Sequence, residues 1–177
     1  MFDLSPDADN IGFHTYLEAG EFIIKNLNLG DNGSDVAIST FHDRFDNLVP
    51  LRSNKSKHEL IMAINSLRMK SFHQQTEAST LVTHINNIIV DTKKRQIIVI
   101  FTQGGSIVNI GERFHEFRYA TGTRVASVGH GENVHVDNHV ALTFDPALRF
   151  FIGQELYTDV HVLSVLVALA EYETCPD

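Results

Sequence analysis

The chain has 177 residues and a mass of 19.9 kDa, with 22 Asp+Glu against 14 Lys+Arg for a formal net charge of −8. A composition of 43% hydrophobic and 20% charged residues suits one globular domain, residues 1–177, with a sizeable core, and excludes disorder, collagen-like repeats and a disulfide-rich miniprotein. The densest basic stretch is Lys93-Lys94-Arg95, too short for a surface that tracks phosphates, so nucleic acid is not expected as a partner.

The most apolar segments, 97–101 and 160–170, fall short of the roughly 20 residues a membrane span needs. Phe2-Asp3 follow Met1 without the basic and apolar stretches of a secretory signal, so none is expected in these residues. Cys175 is the single cysteine and cannot close an internal bridge, which leaves a buried thiol, a reactive one, or half of a disulfide with a partner elsewhere.

In chain order, Phe13, Leu17, Ile24 and Leu27 predict a helix over 11–27, stopped by Leu29-Gly30-Asp31-Asn32-Gly33. Val36 to Phe41 reads as a strand, and 45–51 as a second one that Pro50 confines to a sheet edge. Ser56-Lys57-His58-Glu59 has the form of a capping box opening a helix with Leu60, Ile61, Ile64 and Leu67 on its apolar face. A helix over 76–90 ends next to Lys93 to Arg95, which suits its dipole. The continuous apolar run 96–102 reads as a strand covered on both faces. Further elements are a helix at 110–119, a strand at 124–128, a helix at 134–142, a strand at 149–152 and a closing helix at 156–172. Alternating strands and helices imply an α/β fold, doubly wound around a mostly parallel sheet with helices on both faces. Ligands of such sheets bind beyond the carboxyl ends of the strands. Three oxygen-rich segments fall there: Asp3-Leu4-Ser5-Pro6-Asp7, the residues before the helix at Thr76, and Thr102-Gln103-Gly104.

This order of elements resembles the von Willebrand factor type A domain, the fold shared with integrin inserted domains, over nearly the whole chain. The likeness is clearest from Phe13 to Leu51, through the Leu29-Gly30-Asp31 turn and the strand Asp35 to Phe41, and again at Ile97 to Gly104, where the family usually writes an apolar strand ending in Thr-Asp-Gly. The resemblance implies a metal-ion-dependent adhesion site in which an Asp-x-Ser-x-Ser loop, a Thr and an Asp surround Mg²⁺ or Mn²⁺, hard ions that take oxygen ligands and leave a position for a partner's carboxylate. Carried over, Asp3, Ser5 and Thr76 match, Asp7 stands in place of the second Ser, and Gln103 replaces the third-loop Asp, so the site is degenerate. Moving a carboxylate from position 103 to position 7 keeps two negative charges near the ion while making one a direct ligand, which weakens the metal as an electrophile. The face implied for another protein's acidic side chain includes Gln74, Gln75, Gly104, Gly105 and Ser106. The same residues also suit plain turn and N-cap roles, for Ser5 to Asn10 and for Thr76 alike.

Other chemistry is thinner. His135 and His139 are four apart, with His130, Glu132 and Asp137 nearby, but no His-Glu-x-x-His zinc motif exists, and the polar face of a short surface helix is the simpler reading. No Gly-x-Ser-x-Gly elbow or phosphate loop is present, so no enzyme activity is expected. Two sequons, Asn32-Gly33-Ser34 and Asn54-Lys55-Ser56, would carry glycans in a secreted glycoprotein, consistent with the extracellular or cell-surface setting of the family's adhesive members.

The family begins with a buried central strand, yet only Met1-Phe2 precede Asp3. The expectation is a truncated first strand, which would leave neighbouring strands with unpaired backbone at about 1–3 kcal/mol per group. Many secreted relatives pair a cysteine before that strand with one after the last helix; Cys175 takes the second place, so a lost upstream extension would explain both features. The function this implies is an adhesion-type protein-binding module, the alternative being a structural or matrix-assembly domain that makes contacts through helix faces and keeps a vestigial metal site. A hydrolase built on His130 to His139 ranks third.

Overall fold

The computed structural model describes residues 1–4, 10–30, 33–41, 45–69, 76–88, 96–105, 107–108, 111–131, 134–153 and 156–174. Its elements are β1 (Phe2–Asp3), α1 (Asn10–Asn26), β2 (Ile38–Phe41), β3 (Phe45–Val49), α2 (Lys57–Ser66), β4 (Thr76–Glu77), α3 (Ala78–Ile88), β5 (Ile97–Phe101), β6 (Ile107–Val108), α4 (Gly111–Thr121), β7 (Arg124–His130), α5 (Val136–Thr143), β8 (Arg149–Ile152) and α6 (Leu156–Thr174). Six strands form one sheet in the order β3-β2-β1-β5-β7-β8. Every pairing in it is parallel except the β2–β3 hairpin. The apolar run 97–101 is therefore an interior parallel strand, and β3, followed by Pro50, is an edge.

Residues that alternate along the strands feed two cores. Phe101 and Ala126 join Leu17 of α1, Ile64 of α2 and Leu166 of α6 on one side. Ile100 and Val125 join Leu81 of α3, Phe114 of α4 and Leu142 of α5 on the other. Helices on both faces are the reason these strands read as continuous hydrophobic sequence. α2 begins as its sequence predicts: Glu59 N donates to Ser56 Oγ at 3.3 Å, and Ser56 N donates to Glu59 Oε2 at 3.0 Å. A second, two-stranded sheet was not foreseen: Thr76, expected to open a helix, lies in β4 and pairs with Ile107 of β6.

The first strand is two residues long, as short as its sequence leads one to expect, and it is paired at the centre of the sheet: Phe2 lies opposite Thr40 and Phe101, and Asp3 opposite Phe41. Phe101 N donates to Met1 O and Leu4 N to Phe41 O, each at 3.0 Å, so the short segment satisfies backbone on both neighbours. The Phe2 ring stacks on Phe101 with centroids 4.8 Å apart. Gly20 of α1 makes room for it, since a Cβ there would come within 2.6 Å of Phe2 Cζ.

Helix propensity alone gives Gly20→Ala a gain of about 1 kcal/mol. Because the added methyl pushes Phe2 out of its stack, we expect the opposite sign, a loss of about 1–3 kcal/mol, measured by urea denaturation.

Candidate functional site

β1 and β5 end side by side, and their last residues meet. Asp3 and Thr102 are both buried, and Thr102 Oγ1 donates to Asp3 Oδ2 at 2.5 Å. The same oxygen accepts from Gly104 N at 2.9 Å, so one hydroxyl holds both the carboxylate and the turn that follows β5. That turn requires glycine: Gly104 has φ +89°, and a Cβ would press on the His135 carbonyl oxygen at 3.2 Å. α5 clamps the turn from outside. His135 N donates to Gln103 O at 2.9 Å, and Asn138 Nδ2 donates to Gly104 O at 2.7 Å and to Ile107 O at 3.3 Å.

Gln103 departs from its expected place among the metal ligands. Its side-chain Oε1 accepts from Tyr16 OH at 2.7 Å and from His130 N at 3.2 Å, while Nε2 donates to His130 O at 3.0 Å. The amide is thus spent on α1 and the end of β7, and its oxygen faces those donors. Both groups on Gln103 are satisfied in the interior, as a buried amide requires.

Of the other expected residues, Asp3, Gly104 and Gly105 lie with Gln103 at this end of the sheet, and the backbone of Thr76 lies in β4. Ser5, Asp7, Gln74, Gln75, Ser106, Asn32 and Cys175 lie outside the described residues. Asn54 is exposed with φ 50° in the turn before α2. Tyr16 and Asn138 were not singled out from sequence, whereas Thr102 was marked as part of the oxygen-rich segment that closes the apolar strand, without a role of its own.

The histidine cluster is also rearranged. His135 is the N-cap of α5 and exposed, and His130 is half-buried at the end of β7. His139, expected on a polar surface, is fully buried against Phe151, with ring centroids 5.6 Å apart. Among the described residues neither of its ring nitrogens has a hydrogen-bond partner. Burial pushes its pKa down from the usual 6.5 to about 4, against the nearby backbone of Gln103 and Thr102, which favours the cation. Among the described residues no three His, Cys, Asp or Glu side chains are grouped to hold a metal ion. No described helix is long and apolar enough to cross a membrane.

The sequence matches the von Willebrand factor type A domain over residues 1–163. The chain belongs to that family. No curated protein matches it. Among solved structures it is similar to proximal thread matrix protein 1 from the mussel byssus, at TM-score 0.77 and 16% identity, covering 96% of this chain and 44% of that one. A form of that protein with a zinc-occupied adhesion-site motif gives TM-score 0.76 at 16% identity, covering 96% of this chain and 44% of that one. Manganese-loaded TRAP protein from Plasmodium vivax also gives 0.76, at 15% identity, covering 98% of this chain and 71% of that one. The chain therefore spans less than half the length of the mussel protein. Type A domains generally mediate protein interaction and adhesion.

Two outcomes follow from this geometry. Thr102→Val strips a donor from a buried carboxylate and an acceptor from Gly104, so it lowers stability by about 1–3 kcal/mol, whereas Thr102→Ser, which keeps the hydroxyl, costs less; chemical denaturation of both variants measures the difference. Since the His139 pKa is depressed in the folded chain, its contribution is complete above pH 6.5 and is lost as pH falls toward 4. That loss is on the order of 3 kcal/mol, and His139→Leu flattens the stability–pH curve in this window.

Proposed function

We propose that this von Willebrand factor type A domain, taken as one domain over its 177 residues, is a non-enzymatic, adhesion-type protein-binding module. Its contact face is the crevice at the carboxyl ends of β1 and β5. The observation that carries this reading is the buried Asp3 carboxylate, held in place by Thr102 where β1 and β5 end. Such a carboxylate, together with the oxygens of Ser5, Asp7 and Thr76, would make an all-oxygen donor set suited to Mg²⁺ or Mn²⁺. Gln103 braces this set from behind. A bound ion would supply a Lewis-acidic position for a partner's acidic side chain, flanked by Gln74, Gln75, Gly104, Gly105 and Ser106. The likeness to a manganese-loaded and a zinc-occupied relative supports the metal, and the likeness to a byssal thread matrix protein supports an extracellular or surface setting. There Asn32 and Asn54 would be open to glycosylation.

A specific observation favours a second reading, matrix assembly through helix faces. Val136, Val140 and Phe144 fall four residues apart along α5 and its C-cap, and all three are exposed, as is Tyr119 at 89% on α4. An apolar stripe of this kind suits contact with another protein surface.

Calorimetric titration with Mg²⁺ and Mn²⁺ separates the two. The adhesion reading expects one ion per chain, lost in Asp3→Asn and Ser5→Ala, and chelator-sensitive attachment to matrix proteins that Val140→Glu leaves intact. No heat at millimolar ion removes the metal, and attachment abolished by Val140→Glu but insensitive to chelator moves the function to the α5 face.

A further inference from the structure

The C-cap of α5 is Phe144, with φ 55° in the left-handed region, a place that glycine ordinarily takes and that strains a bulky side chain. The ring so placed is not buried. Phe144 is 42% exposed, in line with the exposed Val140 and Val136 one and two turns earlier. His115 and Arg118 of α4 flank it, the His115 ring with its centroid 5.2 Å away and the Arg118 guanidinium carbon 5.6 Å from the ring centre. Tyr119, four residues after His115, shares that face of α4. An aromatic side chain held under strain and in the open points to a contact made outside the fold.

Charge collects at the same end of α5. Arg118 Nη1 donates to Thr143 O, and Arg149 donates from Nε to Thr143 Oγ1 at 3.1 Å and from Nη2 to Phe144 O at 3.5 Å. These acceptors are neutral carbonyl and hydroxyl groups. Arg118 Nε is buried and has no acceptor among the described residues. Asp145 lies beside Arg124, with Nη2 to Oδ2 at 3.7 Å, and also accepts from Ala147 N at 2.9 Å. With that pair set aside, two guanidiniums face the roughly half negative charge of a helix C-terminus, which leaves about one and a half positive charges beside Phe144. Arg118 registers the crowding: burial pushes its pKa down, Asp145 opposes the shift and Arg124 adds to it. On a chain of net charge −8 this is a local reversal of sign.

We propose that the α4–α5 face docks a short helical segment of another polypeptide whose apolar stripe ends in a pair of carboxylates. The apolar side chains lie along Val136, Val140 and Phe144, and the carboxylates meet Arg149 and Arg118. Val136 to Phe144 spans about 12 Å, which a partner helix of about three turns covers with apolar residues at i, i+4 and i+7. Guanidinium forks take a carboxylate through two parallel hydrogen bonds, which fixes the direction in which that helix lies. An anionic lipid surface is the poorer partner, because a chain of net charge −8 is repelled by it. This partner chemistry deepens the helix-face reading above, on which it rests. It involves no metal, since Phe144 stands at the far end of α5 from His135, whose N–H holds the Gln103 carbonyl at the crevice.

The test is fluorescence anisotropy of the full chain with a labelled amphipathic peptide carrying Leu at i, i+4 and i+7 followed by Glu-Glu, beside a twin ending in Gln-Gln. One acidic peptide per chain is expected, bound about tenfold or more tighter than the twin and weakened by added salt. Arg149→Gln, which keeps an N–H donor but drops the charge, and Phe144→Gly should each weaken acidic-peptide binding by about tenfold. Phe144→Gly should do so without lowering the thermal midpoint, because glycine relieves the strain at φ 55°. A lowered midpoint with binding intact overturns the proposal, since the ring then serves packing alone. Equal, salt-insensitive binding of both peptides overturns it while leaving the helix-face reading in place. Acidic-peptide binding untouched by both substitutions overturns it by putting the site elsewhere. Concentration-dependent dimers lost in Val140→Glu overturn it in favour of a second copy, and binding to phosphatidylserine vesicles in place of the peptide overturns it in favour of a membrane. No binding of either peptide overturns it outright, and Val140→Glu then decides separately whether matrix attachment uses α5.

Discussion

The structure depends on the insertion of Phe2 and Asp3 between two strands that would otherwise face each other across a gap. A parallel interior strand must satisfy backbone on both edges and side chains on both faces. This segment does so with very little chain: backbone bonds to Phe41 and Phe101, a ring stacked on Phe101, and a carboxylate held by Thr102. The two cores sit on either side of a sheet that is continuous only because these residues lie in it.

The crevice wall is held less by its own loop than by α5 and α1. Asn138 and the backbone of His135 fix the turn from one side, and Tyr16 reaches Gln103 from the other. Gly104 lets α5 approach closely, and His139 lies beneath as a buried neutral ring. Much of the polar chemistry here is therefore satisfied inside the protein, Asp3 included, since it is buried and accepts from Thr102.

The architecture was legible because its signals are periodic. The capping box at Ser56, the apolar run ending at Phe101 and the helical spacing of Phe13 and Leu17 each depend on local chemistry that survives into the fold. The shortness of the first strand was legible from Met1-Phe2 standing before Asp3, whereas its pairing with Thr40 and Phe101, distant in sequence, was not, since two residues cannot display a period. The β4–β6 pair escaped for the same reason. At the site, Asp3 was marked only through the family resemblance, and the destination of the Gln103 side chain was not legible, since it is decided by Tyr16 and His130, 87 and 27 residues away. His139 looked like surface because an i, i+4 histidine pair suggests one shared face, but His135 is the cap and lies outside the helical turn.

The Gln103 amide receives His130 N–H on its oxygen and gives its own N–H to His130 C=O, as a backbone peptide group in a strand would. It adds one more rung to the ladder between β5 and β7, built from a side chain. A carboxylate at this position could accept from the N–H but, ionised, has nothing to donate to the carbonyl. The rung therefore belongs to a neutral group whose grip changes neither with protonation nor with the approach of a cation. In an allosteric domain the residue behind a cation would be the one that transmits its arrival, because coupling needs a contact that differs between two states. Here Gln103 is bonded to the backbone at the end of β7, so the turn after β5 is tied to the neighbouring strand through a neutral side chain.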